Sequence, residues 1–223
     1  MKIIVSLLVL LIGLGFCVDE ARKEYVSNEP SRWLPGFPIA STGPLKGVLV
    51  SAWWMKIHRL RHQFKFDEIG VMTKRIALLQ PNIPEVWEYL SWNMSFNLLA
   101  DNRGNRQAQE RWLKEGLLCL EKGLNYIPDN SLLLYSQAYT VHMKRTSTPS
   151  FEEELRSILQ EDPIKYAFRK VAESQVHLKG TYVQLLFYIK ISLDAGELKM
   201  AQEGVEQLRI RFPDRMPVLE DFE

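Results

Sequence analysis

The amino-acid sequence predicts an all-α protein, and three observations carry that prediction. Beyond residue 45, apolar residues recur at three- and four-residue steps with few β-branched alternations. The 223 residues are 46% apolar and 25% charged, which supports one or two packed domains and excludes a chain disordered over most of its length. Tryptophan and proline also return at a fixed interval. Taken in order, VLVSAWWMKIHRLRHQF, FDEIGVMTKRIALLQ and PEVWEYLSWNMSFNLLA read as helices. Each has an apolar face too wide for a lone surface helix and is too short to be stable alone, so the helices must stack on one another.

Charge and cysteine content narrow the function classes. The 28 Lys and Arg against 27 Asp and Glu give a net charge of +1, with no global field to draw in nucleic acid or an anionic membrane. Two cysteines, Cys17 and Cys119, cannot build a disulfide framework or an all-cysteine zinc site, so the core must hold by packing.

Residues 1–18 have the form of an export segment: Lys2, then the apolar run Ile3 to Val18, then Asp19 and Glu20. As a helix the run is about 24 Å long, short of the ~30 Å hydrocarbon core, which fits a signal peptide better than a full span. Gly13 and Gly15 supply small residues of the kind a signal peptidase reads, whereas Phe16 before Cys17 departs from a bacterial lipobox. A cleaved signal and a retained anchor both stay open, with membrane contact through residues 3–18 if uncleaved. Either way the body is expected outside the cytoplasm, periplasmic or anchored in the inner membrane facing the periplasm. Residues 19–44 read as a polar then Pro/Gly-rich spacer, with Pro35, Pro38 and Pro44 interrupting any helix.

The internal repeat is the most specific feature. Trp53 and Trp87 lie 34 residues apart, each opens a helix, and Pro81 stands where a helix-turn-helix of that length would close. This segment resembles the tetratricopeptide repeat. On that pattern, the first repeat (51–83) has Trp53 in the tryptophan position, Phe66 at the turn, Ile69 and Ile76 on the helix B face, and Pro81 at the close. The second (84–130) has Trp87, Leu90 and Ser91 in order. Its closing Pro128 comes 47 residues after Pro81, about 13 more than the pattern, and the polar stretch 100–109 holds the excess as a longer loop or extra turns. A third repeat (131–162) takes LLLYSQAYTVHMK as helix A, with Leu134 in the tryptophan position, and FEEELRSILQE as helix B. An extra helix fills 163–180, introduced by Asp162-Pro163 as cap and first turn. The last repeat (182–215) has Gly196 at the turn, Ala201 on helix B, and Pro213 twelve residues later; 216–223 is a tail. The resemblance covers residues 45–215 and implies a tetratricopeptide-like α-solenoid of antiparallel helix pairs behind the N-terminal hydrophobic segment. The layout is similar to that of exported or membrane-anchored bacterial repeat proteins.

Catalytic motifs do not appear: there is no Gly-rich phosphate loop, GxSxG, HExxH or paired-cysteine metal motif. The chain is therefore read as a non-enzyme with no catalytic residue and no cofactor. His58 and His62, one turn apart, have metal-ligand spacing, but a pair inside RLRH reads first as a solvated face, and the site assignment there is no metal. Cys119 between Leu118 and Leu120 reads as a buried apolar residue. Asn93 and Ser95 form a glycosylation sequon inside a helix.

The resemblance also implies where a partner sits, because helix A side chains of such repeats line a concave wall. The register selects Trp54, His58, Arg61 and His62 in the first repeat, Trp92 and Phe96 with Glu88 nearby in the second, and Tyr135, Tyr139 and His142 in the third. The result is an aromatic, weakly basic groove suited to an extended protein segment or helix with apolar anchors. Packing against a neighbouring repeat is the competing reading for Trp92 and Phe96. The functional expectation is a protein-interaction scaffold of the bacterial cell envelope with a protein or peptide partner. The alternatives are a metal or small-ligand module on His58 and His62, and a structural subunit of an envelope complex.

Overall fold

The computed structural model describes residues 43–102, 104–147 and 151–215, and every regular element among them is helical. The export segment 1–18, most of the spacer and the tail 216–223 lie outside the described residues. Among those described, no helix is long and apolar enough to cross a membrane. The chain divides into two compact units, Met1–Glu68 and Ile69–Glu223.

The described part of the first unit is α1 (Gly43–His62), the turn after it, and the first residues of α2 (Phe66–Leu79). Pro44 belongs to the first turn of α1, where its missing N–H needs no partner, so it starts a helix that the spacer reading had it interrupt. Val50, Ile57 and Leu60 are buried at helical spacing, and Trp53 and Trp54 are half-buried beside them. The helix stops at a turn in which Phe64 takes a positive φ of 55° and Lys65 N–H donates to the Leu60 carbonyl.

The second unit continues with α3 (Pro84–Trp92), a π-helical segment (Asn93–Leu98), the short α4 (Leu99–Asp101) and α5 (Arg106–Tyr126). There follow α6 (Ser131–Ser147), α7 (Glu152–Leu159), α8 (Pro163–Glu173), α9 (Val176–Lys179), α10 (Tyr182–Asp194), α11 (Leu198–Arg211) and a 3-10 turn, Pro213–Arg215. Pro81, Pro128 and Pro213 each come two residues after the last residue of α2, α5 and α11. At that position the ring blocks continuation and costs no hydrogen bond. Asp162 caps α8, its Oδ1 accepting from the N–H groups of Ile164 at 2.9 Å and Lys165 at 3.2 Å, with Pro163 at the first position. Thr181 and Gln184 form a reciprocal capping box at the start of α10.

Packing runs between successive elements: α3 and the π segment against α5, α5 against α6, α6 against α8, α8 against α10, and α10 against α11, with α3 also reaching α6. One feature differs from the repeat reading, and one of its open alternatives is decided. The partner that covers α6 most extensively is α8, not the FEEELRSILQE helix α7, an eight-residue helix that docks through the fully buried Leu155, the buried Phe151 that precedes it, and an Arg106–Glu154 ion pair. The expected insertion at 100–109 is largely helical, since the helix after Pro84 runs to Asp101 and α5 starts at Arg106. The surplus residues are extra turns on both helices.

Trp87 sets the approach of α3 to α5. Its side chain is buried, Nε1 donates to the Pro81 carbonyl at 2.8 Å, and its ring stacks on Tyr126 with centroids 5.6 Å apart. The facing position on α5 is Gly123, where a Cβ would lie 2.8 Å from Trp87 Cγ and 2.9 Å from Leu133 Cδ1. A rigid indole base cannot yield that space. Gly123→Ala is therefore expected to destabilise by about 1–3 kcal/mol despite alanine's better helix propensity, and Trp87→Ala by about 3–5 kcal/mol. Urea unfolding monitored by circular dichroism checks both.

Candidate functional site

Two aromatic groups converge in the second unit, both anchored on α6. The first starts on α3, where Trp92 is 45% exposed and stacks on Phe96 of the π segment at 4.1 Å between centroids and 21° between planes. The Lys144 ammonium lies 4.1 Å from the centroid of the same Phe96 ring. An indole and an ammonium cannot share one face at those distances, so Phe96 is sandwiched between Trp92 and Lys144. The π segment begins immediately after Trp92; such widened turns recur at functional positions in helices.

The second group is Tyr135, Tyr139 and His142, one line of α6, gathered around Phe187 of α10. Centroid separations are 5.3 Å from Tyr135 to Phe187, 5.6 Å from Tyr139, 5.3 Å from His142, and 6.0 Å between the two stacked tyrosines. All four rings are half-buried, so they brace one another and still present edges to solvent. Burial, with a smaller contribution from Tyr139, pushes the Tyr135 phenol up to about 12, and burial lowers the His142 imidazole, keeping it neutral further into the acid range. Beside them Arg145 pairs with Asp194 at 3.3 Å. Glu88, on α3, is raised by burial and then by Glu85.

The structure thus brings Tyr135, Tyr139 and His142 together, and separately Trp92 and Phe96, with α6 carrying a member of each group. Trp54, His58, Arg61 and His62 lie on α1 in the first unit, Trp54 half-buried and the other three exposed. There the two histidines approach with Nε2 atoms 3.3 Å apart. Sequence reasoning missed Phe187, the hub of the second group, and Lys144, the underside of the first. Phe187 was findable as the aromatic of LLFYIK in the last helix A; Lys144 carried no signal, because a lysine near a helix end ordinarily reads as solvated.

Other candidates resolve into structure. Cys119 is buried, its Sγ against the Trp87 carbonyl at 3.8 Å, and burial pushes its thiol up to about 12, away from nucleophilic character. Asn93 is fully buried and accepts a hydrogen bond from Asn97 at 3.1 Å, closing the sequon to modification. A shallow depression of about 360 Å³ at the α7–α8 junction is lined by Arg156, Gln160, Glu161 and Asp162. Ion pairs from Arg156 to Glu152 and Asp162 occupy its wall. Compared with protein-family models, curated proteins and solved structures, the chain gives no match.

Lys144 generates a prediction. It is 6% exposed, no carboxylate among the described residues pairs with it, and burial lowers its ammonium to about 8. The unfolded chain keeps that proton up to the ordinary 10.5 and the folded chain only to about 8. The folded state therefore gains stability from this residue as pH rises through that window, and the burial penalty is fully present below it. Lys144→Met is expected to stabilise by about 1–3 kcal/mol at neutral pH. Urea midpoints at pH 7 and pH 10 check this: the wild-type and variant curves should converge at the higher pH.

Proposed function

We propose that this chain is a non-catalytic protein-interaction scaffold that holds a partner peptide or helix in the trough of a tetratricopeptide-like α-solenoid, in the bacterial cell envelope. The helix pairs α3–α5, α6–α8 and α10–α11 serve as successive repeats, and α3, α6 and α10 as their inner helices. In the same proposal residues 1–18 deliver the chain out of the cytoplasm, as a cleaved signal or a retained anchor.

One observation supports this reading: α3 with its π extension, α6 and α10 each carry half-exposed aromatics, Trp92 and Phe96, then Tyr135 and Tyr139, then Phe187. Rings already braced against each other lose little freedom on binding, and aromatic residues in such settings dominate interface energetics. Arg145 and Lys190 both pair with Asp194, so of the cations on these helices it is Lys144, beneath Phe96, that favours a partner with an acidic side chain near its apolar anchors.

The partner is first identified by crosslinking in the native host, and its affinity for purified variants is then measured. Trp92→Ala and Tyr139→Ala are each expected to weaken binding tenfold or more with helical content intact, while Leu118→Ala, an exposed position on α5, leaves it unchanged. Equal affinity across the three variants would remove the aromatic strip as the docking surface.

A further inference from the structure

The exposed face of α1 carries a feature that the scaffold reading does not use. His58 and His62 are four residues apart, which on a helix sets one side chain above the other. Both are exposed, their Nε2 atoms are 3.3 Å apart, and their ring centroids are 4.8 Å apart with planes at 85°. The nitrogens are closer than the ring centres and at hydrogen-bond distance, so the two Nε2 edges face each other and a metal ion would take the place of the proton they share. A tetrahedral ion with metal–nitrogen bonds of about 2.0–2.1 Å holds two ligand nitrogens roughly 3.3–3.4 Å apart. A square arrangement brings them to about 2.9 Å, a closure that ordinary side-chain rotation covers.

We propose that His58 and His62 form a bidentate chelate for one divalent transition-metal ion of the imidazole-preferring class, zinc or copper. Among the described residues no third His, Cys, Asp or Glu joins them, so the remaining positions belong to water or to ligands from another molecule. Imidazole donors suit both ions, and the affinity order of the divalent metals places copper above zinc at such a site. Arg59 and Arg61 are exposed nearby and oppose a cation, so the site is weaker than two imidazoles on a neutral helix.

The test uses the full chain without a histidine tag, titrated calorimetrically with zinc chloride and copper chloride. The only other histidines are His142 and His177, both half-buried, which makes the controls direct. Wild-type protein is expected to bind one ion per chain, copper more tightly than zinc by the usual affinity order. His58→Ala and His62→Ala should each lose at least tenfold in affinity, Arg61→Gln should gain several-fold, and His142→Ala with His177→Ala should bind as wild type. Circular dichroism on each variant separates a lost ligand from a lost fold. One ion per two chains with metal-dependent dimerisation, lost in the same two variants, equally supports the chelate, with the second copy completing the tetrahedron. Unaltered affinity in both His58→Ala and His62→Ala, or no binding by wild type at millimolar metal, overturns it.

Discussion

The second unit depends on one constraint: α3 and α5 approach so closely around Trp87 that α5 has no room for a side chain of its own at the crossing. Trp87 fills the available volume, its rotamer fixed by the hydrogen bond to the Pro81 carbonyl and by the Tyr126 stack, and Gly123 leaves the space. Gly116 repeats the arrangement toward the π segment, where a Cβ would fall 2.0 Å from Ser95 Oγ. Sliding α5 by a turn would bring Cys119 or Leu120 against the indole, so two glycines seven residues apart set the register as well as the distance. Gly204 does the same for α10 and α11, with Tyr188 and Ile189 as the facing surface.

That register decides what α6 presents. Leu133 is held against the Gly123 crossing, Lys144 against Phe96 on the π segment, and the line of Tyr135, Tyr139 and His142 against Phe187 of α10. One helix is therefore gripped from several sides, and its aromatic line is positioned by the Leu133 and Lys144 contacts as well as by its own with Phe187. The order of events runs from a backbone clearance set by glycine, to the placement of α6, to the spacing of the rings.

What was legible in the sequence follows from how local each cause is. A proline stops a helix by its own ring, and so the ends of α2, α5 and α11 could be read from Pro81, Pro128 and Pro213 alone; the Asp162-Pro163 start of α8 is equally local. The pairing of α6 was not legible, because two amphipathic segments of the right period follow it and only the volume each can bury distinguishes them. The polar run at 100–109 read equally as a longer loop or as extra turns, and what decides for the turns at Arg106 to Gln109 is partly distant: Asn105 caps them and Arg106 finds Glu154, a residue 48 positions away. The aromatic line on α6 was visible from four-residue spacing, whereas its hub, Phe187, became visible only when α10 was placed beside it.

The seam between α3, α5 and α6 breaks the rule that cores are apolar. Ser91, Asn93, Ser95, Gln137 and Lys144 are all buried there, and Ser91 Oγ, Ser95 Oγ and Gln137 Oε1 find no hydrogen-bond partner among the described residues. For the serines the close approach of Gly116 is sufficient cause: the built Cβ contacts include Ser95 Oγ and the Ser91 carbonyl, and a larger side chain would not fit. That steric account does not extend to Gln137 and Lys144, which are long and would be more stable as leucine or methionine in a seam maintained by packing alone. Lys144 lies directly beneath the Phe96 ring on which the exposed Trp92 rests. A buried cation under a presented aromatic pair strengthens the attraction of that surface for an anionic group, and local departures from packing rules gather where function competes with stability. The serines thus belong to the fold, and the lysine to the face that the scaffold proposal uses.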